Sequence, residues 1–299
     1  MHMTKKLIYS FFAACFLLAA FVTSGCSMAK DSSLNVQNVQ YNGEKNIYSC
    51  SYNGVERNFI LCMPENYNGE TKVVLLLHGL GGSAAAFKEQ TQFEQKAAEL
   101  NYAAVFVEGT VDPANRSHGK GWHFYEDDFS KNDVSFLKEL VLYLQKEYGL
   151  NSKAFVIGFS NGGFMVNKLA SYCPDFFTAA ASVGGMMPKD VWEGKKSKHP
   201  CAFIQINGTK DDVVPMDFND SSKFNPNPSM EKVIEYYRKG NRCPSLPEEI
   251  KLSENSTMFS YGTKVAWVII DGGYHSWPVP QFAGIETSSV ILDFFEKQG

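Results

Sequence analysis

Short apolar runs recur along the chain at residues 73–77, 103–107, 154–158, 179–183, 202–206 and 265–270. Most are nearly continuous rather than alternating, the pattern of strands buried on both faces of a parallel sheet. Between them lie segments with helical spacing, at 83–100, 132–148, 162–172, 230–238 and 287–297. The clearest is 132–148, where Val134, Leu137, Val141, Leu144 and Tyr148 fall on one face. Strands alternating with helices predict a doubly wound α/β sheet. Ahead of these units, Asn53-Gly54 separates two β-prone stretches, 47–52 and 55–62, and predicts an antiparallel hairpin with Cys50 opposite Arg57. Three stretches lack a regular pattern: 109–131, 213–229 and 241–262. The first two are rich in aromatics, Asn, Pro and Gly, and long loops beside a rigid sheet are usually functional.

The N-terminus reads differently. Lys5 and Lys6 precede an apolar run at 7–22, interrupted by Ser10, and Thr23, Ser24, Gly25 and Cys26 follow. That is the plan of a secretory leader, residues 1–25, ending in small residues before a Cys that would carry a bacterial lipid anchor. Cleavage after Ala29 and an uncleaved anchor are the alternatives, though the run is short for a spanning helix. Each places the body outside the cytoplasm, as a lipid-anchored envelope protein or a secreted or periplasmic one. Residues 26–45 read as a polar tether, and 46–299 as one catalytic domain.

Composition narrows the chemistry. The 299 residues are 44% hydrophobic and 20% charged, with a formal net charge of −4. A chain of this kind is globular, and its acidity argues against nucleic acid as the main partner. No P-loop sequence is present. Beyond Cys26 there are five cysteines, Cys50, Cys62, Cys173, Cys201 and Cys243, without C-x-x-C or metal-ligand spacing. An odd count leaves at least one thiol unpaired within the chain, and the hairpin register puts Cys50 and Cys62 too far apart to bridge.

Three separated segments carry the candidate chemistry. Gly158-Phe159-Ser160-Asn161-Gly162 follows a strand pattern and precedes a helical one, the context of a nucleophile elbow. A serine hydroxyl needs a base, and a ligand-facing group in an open α/β sheet lies beyond the C-terminal ends of strands. His199 precedes its strand, while His78, His118 and His123 come before Ser160 and break the order serine, acid, histidine. His275, after the strand 265–270, satisfies both conditions. The acid should follow the strand 202–206, where Asp211 and Asp212 are both candidates. Two backbone N–H groups should face the oxyanion: that of Asn161, and one from the glycine-rich loop His78-Gly79-Leu80-Gly81-Gly82-Ser83, Leu80 first and Gly81 second. His78 then braces that loop.

The segments LLLHGLGGSAAAF, NDVSFLKELVLYLQKEYGL, VIGFSNGGFMVNKLA, PDFFTAAASVGG, INGTKDDVVP and GGYHSWP stand in this order. Together they resemble the α/β-hydrolase esterase family of polyhydroxybutyrate depolymerases and feruloyl or acetylxylan esterases, over nearly all of the chain after the leader. The resemblance implies an α/β-hydrolase fold and a secreted serine carboxylesterase without cofactor or metal. It implies Ser160 as nucleophile and His275 as base. Its G-T-x-D-x-x-V-P pattern selects Asp211, and it marks Trp122 and Trp277 as aromatics near the acyl or alcohol site. Many depolymerase-like members carry Cys where Leu80 stands here, a departure that counts against a polyester substrate and its local disulfide; the resemblance and the aromatic loop 122–125 point to feruloyl or acetyl esters of cell-wall xylan, with polyesters or generic short acyl esters second. The competing expectation is a non-catalytic glycan-binding surface lipoprotein on the same fold.

Overall fold

The computed structural model describes residues 34–111, 116–124, 128–217 and 227–299, so the leader and Cys26 lie outside the described residues. In chain order the strands are β1 (Val36–Asn42), β2 (Ile47–Tyr52), β3 (Val55–Cys62), β4 (Lys72–Leu77), β5 (Tyr102–Val107), β6 (Thr110–Val111), β7 (Lys120–Gly121), β8 (Ala154–Phe159), β9 (Ala179–Val183), β10 (Ala202–Gly208), β11 (Glu248–Lys251), β12 (Ser256–Tyr261) and β13 (Val265–Ile270). The helices are α1 (Ala84–Thr91), α2 (Phe93–Glu99), α3 (Asp128–Tyr148), α4 (Asn161–Tyr172), α5 (Lys189–Glu193), α6 (Met230–Gly240), α7 (Pro280–Ala283) and α8 (Thr287–Glu296).

Eleven strands form one sheet in the order β1-β2-β3-β5-β4-β8-β9-β10-β13-β12-β11. The six from β5 to β13 are parallel, and antiparallel strands extend both edges. Successive side chains of β4 explain its apolar run. Val73, Leu75 and Leu77 join one core with α3, α4 and α6, while Val74 and Leu76 join the other with α1, α2 and α8. From β4 the chain crosses through α1 and α2 on one face to β5, then returns through α3 on the other face to β8, on the far side of β4. That reversal opens a crevice at the C-terminal strand ends.

The hairpin forms in the expected register, Cys50 opposite Arg57, with Asn53 and Gly54 both at positive φ (49° and 78°). All five described cysteines are free thiols. Three sequence expectations are corrected. The stretch read as a tether contains β1, which pairs with β2; its polar, exposed edge position hid it. The patternless 241–262 contains β11, a polar strand at the far edge, and β12, which pairs it to β13. The helix expected over 83–100 is two, divided at Gln92 (φ 45°). Its buried positions, Ala84, Phe87 and Thr91, then Phe93 and Ala97, change phase there, and one straight helix cannot bury both sets.

Candidate active site

The elbow is built by glycine. A Cβ at Gly158 would lie 2.2 Å from Gly162 O, and one at Gly162 would lie 2.1 Å from Leu77 O. Only hydrogen fits at either place. The turn between β8 and α4 puts Ser160 at φ 53°, ψ −117°, a sparsely populated region for a residue with a Cβ. The strain lifts the hydroxyl above the sheet edge.

Three side chains join in line at the strand ends. Ser160 Oγ lies 2.9 Å from His275 Nε2, and His275 Nδ1 lies 2.7 Å from Asp211 Oδ2. Asp211 Oδ1 accepts from the backbone N–H groups of Val213 (3.0 Å) and Val214 (2.7 Å). A carboxylate beside Nδ1 makes that nitrogen the donor, which leaves Nε2 as acceptor for the serine O–H. Asp212 is exposed, so the structure separates the two neighbours that spacing left open. Backbone bonds stitch the strand ends together beyond the sheet: Ser160 N donates to Val183 O, Gly184 N to Ile206 O, Thr209 N to Ile270 O and Lys210 N to Gly273 O. The Phe159 ring supports the imidazole, with centroids 5.1 Å apart.

On the other side of Ser160 lies the loop after β4. Leu77 pairs with Gly158, so His78 and Gly79 reach the elbow, and a Cβ at Gly79 would sit 3.4 Å from Ser160 Cβ. Gly81 N–H already donates to Lys120 O at 2.7 Å, which leaves Leu80 of the two candidate donors in this loop. His78 is 1% exposed. Gly109 N–H donates to His78 Nε2 (2.9 Å), so Nδ1 carries the proton and donates to Gly79 O (2.7 Å). Burial pushes the His78 pKa down and keeps the ring neutral. It braces the loop, as the sequence implied. Glu108, also buried, accepts from Ala84 N at the start of α1 and pairs with Lys120 Nζ.

Two of the remaining histidines and both tryptophans lie outside this line of three side chains. His118 and His199 are exposed, and His199 Nδ1 faces Gly240 O. Trp122 and Trp277, expected near the acyl or alcohol site, are 2% and 4% exposed. Trp277 packs edge-on against Phe87 in the core, and Trp122 is hydrogen-bonded between loops. Both rings are buried, yet Trp122 bonds to Asn161 and His78 and Trp277 follows His275 by two residues, so each stands beside the site. The bracing set Glu108, Lys120, Arg57 and Asp133 was not anticipated. Arg57 and Asp133, 1% and 0% exposed, pair at 2.6 Å, and Asp133 Oδ2 accepts from His123 N at 2.8 Å. Among the described residues no group of His, Cys, Asp or Glu is arranged to hold a metal, and no helix is long and apolar enough to cross a membrane.

Comparison with known proteins agrees with this architecture. A family model described as phospholipase/carboxylesterase matches residues 63–235. A feruloyl esterase B of Piromyces equi is 25% identical over 232 residues, 74% of this chain, and the chain spans 42% of that protein's length. The solved acetyl xylan esterase from Aspergillus awamori superimposes with a TM-score of 0.63 at 13% identity, covering 81% of this chain and 94% of that one. Est1E from Butyrivibrio proteoclasticus, solved with ferulic acid bound, gives 0.52 at 14% identity, covering 84% and 98%. The sheet order, the elbow between β8 and α4 and the family match over more than half its length place this chain in the phospholipase/carboxylesterase family of α/β-hydrolases.

Proposed function

We propose that the protein is a serine carboxylesterase. The observation that carries the reading is the line Ser160 Oγ, His275 Nε2, His275 Nδ1, Asp211 Oδ2, with separations of 2.9 and 2.7 Å. Ser160 attacks an ester carbonyl while His275 takes its proton at Nε2. Asp211 holds the tautomer and stabilises the imidazolium. The N–H groups of Asn161 and Leu80 receive the oxyanion. His275 then gives the proton to the leaving alcohol. Water repeats the sequence on the acyl-enzyme, which frees the acid and restores Ser160.

For substrate we favour feruloyl or acetyl esters of plant cell-wall xylan, with polyesters and generic short acyl esters second. Support comes from the relatives named above and from the exposed apolar side chains that flank the site. Leu80 (54% exposed) follows Gly79, and Tyr274 (62%) precedes His275. Residues 1–25 as a leader and Cys26 as a lipid anchor complete the reading: one catalytic domain held at the cell envelope beside a polysaccharide.

The test is hydrolysis of methyl ferulate, 4-nitrophenyl acetate and acetylated xylan by the protein and its Ser160→Ala variant. Turnover of at least one that vanishes in the variant is the expected result, and ferulate release places the enzyme on cinnamoyl esters. Equal turnover by both proteins overturns the assignment of Ser160. Glycan binding without turnover or fluorophosphonate labelling would leave a binding protein.

A further inference from the structure

Of the two oxyanion donors proposed above, Asn161 opens α4 and Leu80 sits in the loop after β4, and one buried residue is bonded both to Asn161 and to His78 of that loop. Trp122 N–H donates to Asn161 Oδ1 at 2.7 Å, and Trp122 O accepts from Asn161 Nδ2 at 3.3 Å. The paired bonds lock the first side chain of α4 to the strap 119–124. On the other side, the Trp122 indole N–H donates to His78 O at 2.9 Å, two residues before Leu80. The Trp122 and His78 rings lie 5.6 Å apart. The strap runs close against both donors: a Cβ at Gly121 would sit 2.8 Å from Leu80 Cδ1 and 3.0 Å from Asn161 Oδ1. Further bonds hold the strap itself, from Gly81 N to Lys120 O, His123 N to Asp133 Oδ2 and Lys168 Nζ to Phe124 O.

We propose that Trp122 is a positioning residue that sets the separation of the Asn161 and Leu80 N–H groups. The inference rests on the reading of Ser160 as nucleophile. A tetrahedral oxyanion needs both donors within about 2.7–3.1 Å at once. Asn161 is held to α4, but the loop carrying Leu80 leaves the sheet after Leu77. A strut between them therefore acts on the transition state more than on the bound ester, whose carbonyl oxygen lies elsewhere. The indole supplies length, stiffness and one N–H in a single side chain.

The experiment uses the full chain, 4-nitrophenyl acetate and two replacements at position 122. Trp122→Phe removes the indole N–H and keeps an aromatic ring. Benzothienylalanine keeps the indole outline and replaces the N–H by sulfur, which covers the case in which phenylalanine does not fold. Rates are referred to active sites titrated to completion with a fluorophosphonate. We expect kcat to fall about 10- to 100-fold, KM to change less than about 3-fold, and binding of a trifluoromethyl ketone to weaken by the same factor as kcat/KM. The pH profile should keep its shape, because His275 is untouched. Adding Asn161→Ala to Trp122→Phe should cost less than the product of the single effects. Wild-type kcat per titrated site in the sulfur variant overturns the inference, as does a rise in KM alone, which would make Trp122 a substrate contact. A fall in kcat with unchanged ketone binding overturns it too. Ser160→Ala runs beside them: residual turnover there defeats the reading of the site itself, whatever Trp122 does.

Discussion

The two sides of Ser160 are held by different means. On one side, Ser160, Asp211 and His275 follow β8, β10 and β13, whose backbone ladders continue past the strand ends through Ser160 N, Gly184 N, Thr209 N and Lys210 N. Position there is inherited from the sheet. On the other side, residues 78–83 and 119–124 lie outside the large sheet and depend on side-chain struts: His78 to Gly109, Glu108 to Ala84, Trp122 to Asn161 and His78. A line of side chains needs only correctly ended strands. A pair of backbone donors, one opening α4 and one on a loop, needs cross-links, and each link is a buried polar group that must be satisfied.

The strand-end side should fail chemically while keeping its fold. The largest effect expected is from Ser160→Gly. It removes the nucleophile and relieves the positive φ that a Cβ strains, so turnover should drop about 10⁴-fold or more while stability rises by about 1 kcal/mol. Urea denaturation beside kcat measures both, and a loss of stability would show that the sheet does not impose the strained geometry. Next comes Asp211→Asn. Its amide can still accept from Val213 and Val214 but would present an N–H to His275 Nδ1, forcing the proton onto Nε2 opposite the serine. kcat should fall about 10⁴-fold with little change in KM or melting temperature. A loss of only about tenfold would mean that ring tautomer is set from elsewhere.

The same contrast explains what the sequence revealed. The parallel strands were legible because residues such as Val74, Val156 and Ile204 are fully buried and leave unbroken apolar runs. The elbow was legible because its close approaches admit only glycine at 158 and 162. Order along the chain singled out His275, and the family pattern chose Asp211 over its exposed neighbour. The edge strands β1 and β11 were not legible, because segments such as Glu248–Lys251 carry polar, exposed positions that read as loop, and β12 between β13 and β11 mixes polar with apolar residues at half-buried positions. Glu108, Lys120, Arg57 and Asp133 gave no signal either: a charged residue in a polar stretch ordinarily reads as solvated, and only the fold shows that Arg57 and Asp133 are buried together.

The buried ion pair that supports the oxyanion side should fail through stability. Arg57→Leu leaves Asp133 buried without its counter-charge, and such a loss costs about 3–5 kcal/mol. Burial already pushes the Asp133 pKa up, against the opposing pull of Arg57 and the His123 N–H. With Arg57 gone the carboxyl is raised further. A carboxyl with a raised folded pKa favours the native state at pH below its unfolded value and loses that contribution as pH rises through the folded one. The deficit of Arg57→Leu should therefore be largest near pH 8 and shrink toward pH 5. Denaturant midpoints across that range check it, and a pH-independent deficit would mean that lost packing over the Phe136 ring, 4.6 Å away, outweighs charge.

The smallest effect concerns His78. Its folded pKa is lowered, first by burial and also by Lys120, while its bond to Gly79 O and the charge of Glu108 pull the other way. Protonating Nε2 would expel the Gly109 N–H that donates to it and leave that donor buried without an acceptor. The unfolded chain takes up the proton first, so the contribution of the neutral ring is complete above the ordinary histidine value of about 6.5 and fades as pH falls toward the folded one. His78→Gln removes the titration and should flatten the wild-type decline in melting temperature between pH 7 and 5. Identical slopes would mean that the loop tolerates a charged His78, and that the indole bond to His78 O and the bond from Gly81 N hold it without the imidazole.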